Sequence, residues 1–223
     1  MKSILSVLFF LSSNLALAST AGEVKILYPC EALNSIPHEK ENRGTVTFLD
    51  TKEFTLYKSG LILRKRTEGE EKDITLKMRW KTTPVVDEKI KAQLSASPNG
   101  ELKCEADVTA FSSVESCSFK ADGHTLLREH VDFLSMVKSP VTEIPSNLKE
   151  ISLESISWKI PLSGLKKKPN LEMWKKNGEC LLEASAKFDN GSADSVLKAL
   201  KNAIKAGPSE VQISKTAWAL GIK

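Results

Sequence analysis

Leu61-Ile-Leu-Arg-Lys-Arg66, a Thr-Glu-Gly-Glu-Glu-Lys spacer and Asp73-Ile-Thr-Leu-Lys-Met-Arg79 decide how this chain folds. Arg64 and Arg66 recur two residues apart, as do Lys77 and Arg79, while Leu63, and Leu76 with Met78, fall on the alternate positions. Side chains alternate across a strand, so each charged pair shares one face and the leucines share the other. Two strands are predicted, Ile62–Thr67 and Asp73–Lys81.

The same period recurs along the chain. Glu23 and Lys25, Glu105 and Asp107, and Glu183 with Ser185 and Lys187 each occupy one face of a predicted strand, opposite Val24 and Ile26, Cys104 and Ala106, and Leu182 and Ala184. Further strands are predicted at Gly44–Leu49, Cys117–Lys120, Ile151–Ile160 and Glu210–Lys215, beside Glu23–Tyr28, Glu101–Ala110 and Glu179–Phe188. Helices are predicted at Ser192–Ala206, where Val196, Leu200 and Ile204 form a stripe ended by Gly207-Pro208, at Asp122–Lys138 and at Asp87–Leu94. Two arrangements satisfy this pattern. An antiparallel sheet with its charged side in solvent is the commoner outcome of such spacing. The other is a closed or strongly curved sheet with the charged face inside, where cations would meet phosphate oxygens and carboxylates would hold a divalent metal.

Composition bounds the function. Lys and Arg number 32 against 28 Asp and Glu, a formal +4, too even for a non-specific nucleic-acid binder, so any anion site must be local. His38, His124 and His130 stand apart, with no Ser or carboxylate spacing that suggests a triad. Lys2 precedes a run from Ile4 to Leu17 that is apolar apart from Ser6, Ser12, Ser13 and Asn14, and Ala16-Leu17-Ala18 places small residues where a signal peptidase reads. Residues 1–18 are therefore predicted to be a signal peptide, with Ala21 as a second cleavage site, and residues 19–223 a single exported domain. Its expected location is periplasmic or extracellular, with no membrane contact after cleavage.

Export turns Cys30, Cys104, Cys117 and Cys180 into disulfide candidates, since none has metal-ligand spacing. Four cysteines allow three connectivities. A hairpin joining the strands around Cys104 and Cys117 sets these two face to face, with Leu102 opposite Phe119, which leaves Cys30 for Cys180.

The central segment Thr47-Phe-Leu-Asp-Thr-Lys-Glu-Phe-Thr-Leu-Tyr-Lys-Ser-Gly-Leu-Ile-Leu-Arg-Lys-Arg66, followed by Asp73-Ile-Thr-Leu-Lys77, resembles the CYTH family, the triphosphate-tunnel fold that includes class IV adenylate cyclases and thiamine triphosphatases. An aromatic and Asp-Thr turn, a Leu-x-x-x-Gly step, a Leu-Arg-x-Arg strand and a Leu-Thr-Leu-Lys strand follow in the family's order. Glu23-Val-Lys25 is similar to the end of its opening Glu-x-Glu-x-Lys, Glu183-Ala-Ser-Ala-Lys187 to a late acidic strand, and Ser214-Lys215 to its closing lysine segment.

The resemblance implies a strand-dominated α+β fold, an antiparallel eight-stranded tunnel-like barrel with peripheral helices. It implies that Arg64, Arg66, Lys77, Lys187 and Lys215 contact phosphate oxygens, and that Glu23, Glu105, Asp107 and Glu183 hold Mg²⁺ or Mn²⁺ if the protein is catalytic. Lys25 would orient phosphate or an attacking water. The expected ligand is inorganic triphosphate, polyphosphate or another phosphorylated small molecule, with no nucleic acid. It would be bound with metal-dependent hydrolysis as a triphosphatase, or bound without catalysis in a tunnel whose metal site has degenerated. Two family acids are replaced, by Ala21 and Ser185.

Overall fold

The computed structural model describes residues 21–80, 85–109, 112–165, 167–189, 192–209 and 213–222. Residues 1–18, the expected signal peptide, lie outside them. Strands run β1 (Ala21–Tyr28), β2 (Glu39–Asp50), β3 (Leu61–Glu68), β4 (Glu71–Trp80), β5 (Glu101–Val108), β6 (Ser113–Asp122), β7 (Lys149–Lys159), β8 (Asn170–Lys176) and β9 (Glu179–Asp189). Helices are α1 (Thr55–Lys58), α2 (Glu88–Ser95), α3 (Arg128–Met136), α4 (Ala193–Ala203) and α5 (Lys215–Leu220), with a 3-10 turn at Cys30–Ser35. Among the described residues, no helix is long and apolar enough to cross a membrane.

The strands close into a barrel in the order β1-β5-β6-β4-β3-β2-β7-β8-β9. This corrects the expected eight-stranded antiparallel barrel in both number and direction. The strand not foreseen is β8. Directions cannot alternate all the way around a ring of nine, so one neighbouring pair must run parallel. That pair is β1 with β5, in register over Gly22↔Ala106, Glu23↔Asp107 and Val24↔Val108. The two backbones approach closely there, and a Cβ on Gly22 would meet the carbonyl of Ala106 at 2.2 Å, which only glycine avoids. The expected strand Glu210–Lys215 is also corrected: residues 210–212 lie outside the described residues, and Lys215 opens α5.

The leucine faces point outward and are covered. Leu61, Leu63, Ile74, Leu76 and Phe119 pack under Leu94 of α2 and Phe133, Leu134 and Met136 of α3. Val24, Ile26, Leu182, Ala184 and Leu171 pack under Val196 and Leu200 of α4. Each fully buried Leu, Ile or Phe contributes about 1.5–3 kcal/mol, so these two layers supply the fold's main stabilisation. A third cluster sits inside: Val46, Phe48, Ile62 and Trp174 meet Ala219 and Leu220 of α5. Val46 and Phe48 pair across the sheet with Arg66 and Arg64, so they share the inner face with the two guanidiniums.

Local chemistry sets the ends of the elements. Asp87 caps α2 by accepting from the Lys89 and Ile90 amides at 3.0 and 3.1 Å. The expected helix Asp122–Lys138 is shorter than its apolar spacing indicated, because Asp122 ends β6 and the chain turns at Gly123 before α3 begins at Arg128. Buried Asp50 accepts hydrogen bonds from the amides of Thr51, Leu56 and Tyr57 at 2.7–2.9 Å, which explains why an Asp-Thr pair precedes α1. Both expected disulfides are formed. Cys104 pairs with Cys117 in the foreseen register, with Leu102 opposite Phe119, and Cys30 joins Cys180.

Candidate functional site

Once the barrel closes with its leucines outward, the alternate positions must converge inside. They line a cavity of about 340 Å³. β1 supplies Glu23 and Lys25, β3 supplies Arg64 and Arg66, β4 supplies Lys77 and Arg79, β5 supplies Lys103 and Glu105, and β9 supplies Glu183 and Lys187. Glu172 and Trp174 enter from β8 and Lys215 from the start of α5. The arrangement with the charged face in solvent is therefore excluded. Asp107 belongs to an adjoining cavity of about 200 Å³ that shares Lys25, Arg79, Glu183 and Lys215 with the first.

Two ion-paired centres organise the interior. At one, Asp107, only 3% exposed, receives Lys25 on Oδ1 at 2.7 Å and Lys77 on Oδ2 at 2.7 Å, with Arg79 at 3.3 Å. Burial works against its ionisation, but the three cations outweigh that and hold its carboxyl far below the usual range. Lys25 also lies 3.2 Å from Glu23, and its ammonium is raised well above the ordinary lysine value because Asp107, Glu23 and Glu183 overcome the cost of burial. Lys77 moves the other way. Burial lowers it to about 8, helped by Lys25 and Arg79 and resisted by Asp107.

At the second centre, Glu172 receives Arg66 Nη2 at 2.7 Å and the ammonium of Lys215, which also lies 3.0 Å from Glu183 and 4.3 Å above the Trp174 ring. Burial opposes ionisation of Glu172, and Lys215 with Arg66 drives its carboxyl well below the normal range. Glu105 is bonded to Lys103 and lies 3.9 Å from Lys187.

Against this pairing, two donor groups stand out. The Arg64 guanidinium makes no hydrogen bond and no ion pair with any described residue. Its charge is disfavoured by burial and by neighbouring Arg66. Arg66 keeps its Nε buried without a partner. Even with Asp107 counted, basic residues around the cavity outnumber acids nine to six among the described residues. The interior can therefore accept an anion presenting several oxygens close together, through charge-assisted hydrogen bonds from guanidinium and ammonium groups.

All ten residues expected at the site reach this interior. Of the four acids expected to hold metal, Glu23, Glu105 and Asp107 bring carboxylate oxygens within 4.8 Å of one another, while Glu183 turns to Lys215. The donors suit a hard divalent ion in type and spacing. They do not suit it in occupancy, since both Asp107 oxygens, Glu23 and Glu105 are already engaged by cations. Ala21 and Ser185 supply no replacement, and across β1–β9 they face Asp189 and Lys25. Lys103, Glu172 and Trp174 were not foreseen, and Arg79, already on the charged face beside Lys77, was not expected among the phosphate contacts. Lys103 could have been found from its spacing of two from Glu105.

No protein-family model matches the sequence, and a search of curated proteins returns no match. Among solved structures, HpAC1 from Hippeastrum, named as an adenylyl cyclase and reported with a dominant triphosphatase activity, aligns over 90% of this chain and 96% of its own at a TM-score of 0.54 and 10% identity. A protein from Bacillus halodurans named as an adenylate cyclase aligns over 89% and 98% at 0.56 and 15% identity. At such identities the likeness concerns the fold, and with the closed barrel and its charged interior it gives this chain the CYTH-like tunnel fold.

Proposed function

We propose that the protein is exported and binds a phosphorylated small-molecule anion, triphosphate or short polyphosphate in the first instance, inside the tunnel. The observation that carries this reading is Arg64. A half-buried guanidinium beside a second guanidinium, with no ion-paired carboxylate among the described residues, is costly in the free protein and becomes favourable when a polyanion enters. Arg66 through its free Nε, Lys77 and Lys187 complete the phosphate contacts, and Lys25 orients the anion's near end. The two disulfides support an oxidising compartment.

A second reading, hydrolysis of the bound triphosphate, is favoured by the convergence of Glu23, Glu105 and Asp107. It needs those carboxylates released from their ammonium partners, and phosphate release from tripolyphosphate with Mg²⁺ or Mn²⁺ is its assay. The binding reading is tested by thermal shift. Tripolyphosphate at ~100 times its dissociation constant adds roughly 2.7 kcal/mol of stability, and the double change Arg64→Ala with Arg66→Ala removes the shift while the fold survives. Absence of any shift in the wild-type protein contradicts it.

A further inference from the structure

The tunnel's acids and bases are arranged in a way that bears on the form in which the ligand enters, an inference that rests on the anion-binding reading above. Of the six acids around the cavity, all but Glu101 at its exposed edge, namely Glu23, Glu105, Asp107, Glu172 and Glu183, have a cationic partner supplied by the barrel or by α5. The closest-set three are the ones a divalent ion would need, and they hold the densest set of cations. Asp107 alone carries Lys25, Lys77 and Arg79 distributed over its two oxygens. We propose that the protein binds its polyanion free of metal, the ammonium groups of Lys25, Lys77 and Lys103 occupying the acidic cluster where a divalent cation would otherwise sit between protein and ligand.

Electrostatics and geometry support the same conclusion. A divalent ion entering the cluster would add two charges beside ammonium groups already 2.7 Å from Asp107, within a lining whose basic residues are in surplus. It would have to shed water and displace those groups, and few oxygens would remain free to replace its hydration shell. An anion faces no such obstacle, because the Arg64 guanidinium and Arg66 Nε have no hydrogen-bond partner among the described residues and face the cavity. The ligand class follows from this: the uncomplexed polyanion, not its magnesium complex, which carries less negative charge for the guanidiniums to meet.

Isothermal titration of the full-length mature protein with sodium tripolyphosphate, once in chelator and once in excess Mg²⁺ or Mn²⁺, separates the outcomes. The expected result is binding in chelator that is weakened about tenfold or more by either metal, together with an unchanged Mn²⁺ electron-paramagnetic signal when protein alone is added. Affinity that is tighter with metal than in chelator, or Mn²⁺ captured by the protein alone, overturns the inference and leaves the anion-binding reading standing. Failure to bind under every condition overturns the anion-binding reading itself.

Discussion

Arg64 and Arg66 leave the same strand two residues apart and enter the same cavity, yet Arg66 has a carboxylate partner, Glu172 at 2.7 Å, and Arg64 has none among the described residues. The pair divides two roles that a charged tunnel must combine. Arg66 helps close the barrel internally by linking β3 to β8, and Arg64 holds an unspent positive charge for what enters.

The Asp107 centre is expected to be the main electrostatic tie of the interior. Asp107→Ala would leave Lys25, Lys77 and Arg79 facing one another with their shared counter-ion gone, a loss of about 3–5 kcal/mol by analogy with other broken buried pairs. Urea denaturation measures it. Because the Asp107 and Glu172 carboxyls are depressed in the folded state, their contribution is complete above the unfolded carboxyl range near pH 4 and is lost progressively as pH falls below it. A stability profile that stays level from pH 5 to pH 2 would contradict this.

Ligand affinity should depend on pH through Lys77. With its ammonium lowered to about 8, the side chain starts to lose its charge as pH rises past that value, and with it a phosphate contact. Tripolyphosphate binding is expected to weaken between pH 7.5 and about 9, with proton uptake on binding near pH 8. Lys77→Arg, which keeps its charge throughout, should flatten the profile. The sign for stability is opposite: between about 8 and the unfolded lysine value near 10.4 the unfolded chain binds more protons, so this group makes the free protein more stable as pH rises.

The two disulfides should contribute unequally. Cys30–Cys180 spans 150 residues and Cys104–Cys117 spans 13, so chain entropy assigns about 5 and about 3 kcal/mol respectively. Thermal melts of the two double Cys→Ser variants compare them directly, and the Cys30–Cys180 variant is expected to melt lower.

Much of this was legible in the residues, for reasons that also mark where legibility stopped. Period-two spacing puts Arg64 with Arg66 and Glu105 with Asp107 on common faces whatever the tertiary fold, and the Cys104–Cys117 register follows from one short hairpin. Spacing says nothing about which face turns inward; closure and the helices covering Leu63, Leu76 and Leu182 decide that. The ninth strand did leave a trace. Leu171 and Met173 alternate with Glu172 and Trp174, and Asn177-Gly178, both with positive φ, form the two-residue turn between β8 and β9. Without that hairpin Glu172, the partner of both Arg66 and Lys215, has no strand to place it.

Arg64→Met tests the central claim most directly, because it removes the unpaired charge and retains most of the side chain's apolar bulk. The melting temperature of the ligand-free variant is expected to equal or exceed that of the wild type, since no side-chain hydrogen bond or ion pair with a described residue is lost and repulsion with Arg66 is relieved. Its affinity for tripolyphosphate, measured by calorimetry beside the wild type, is expected to fall at least tenfold, the loss of one charge-assisted contact of about 1.5–3 kcal/mol. A variant that binds tripolyphosphate as tightly as the wild type would contradict the account.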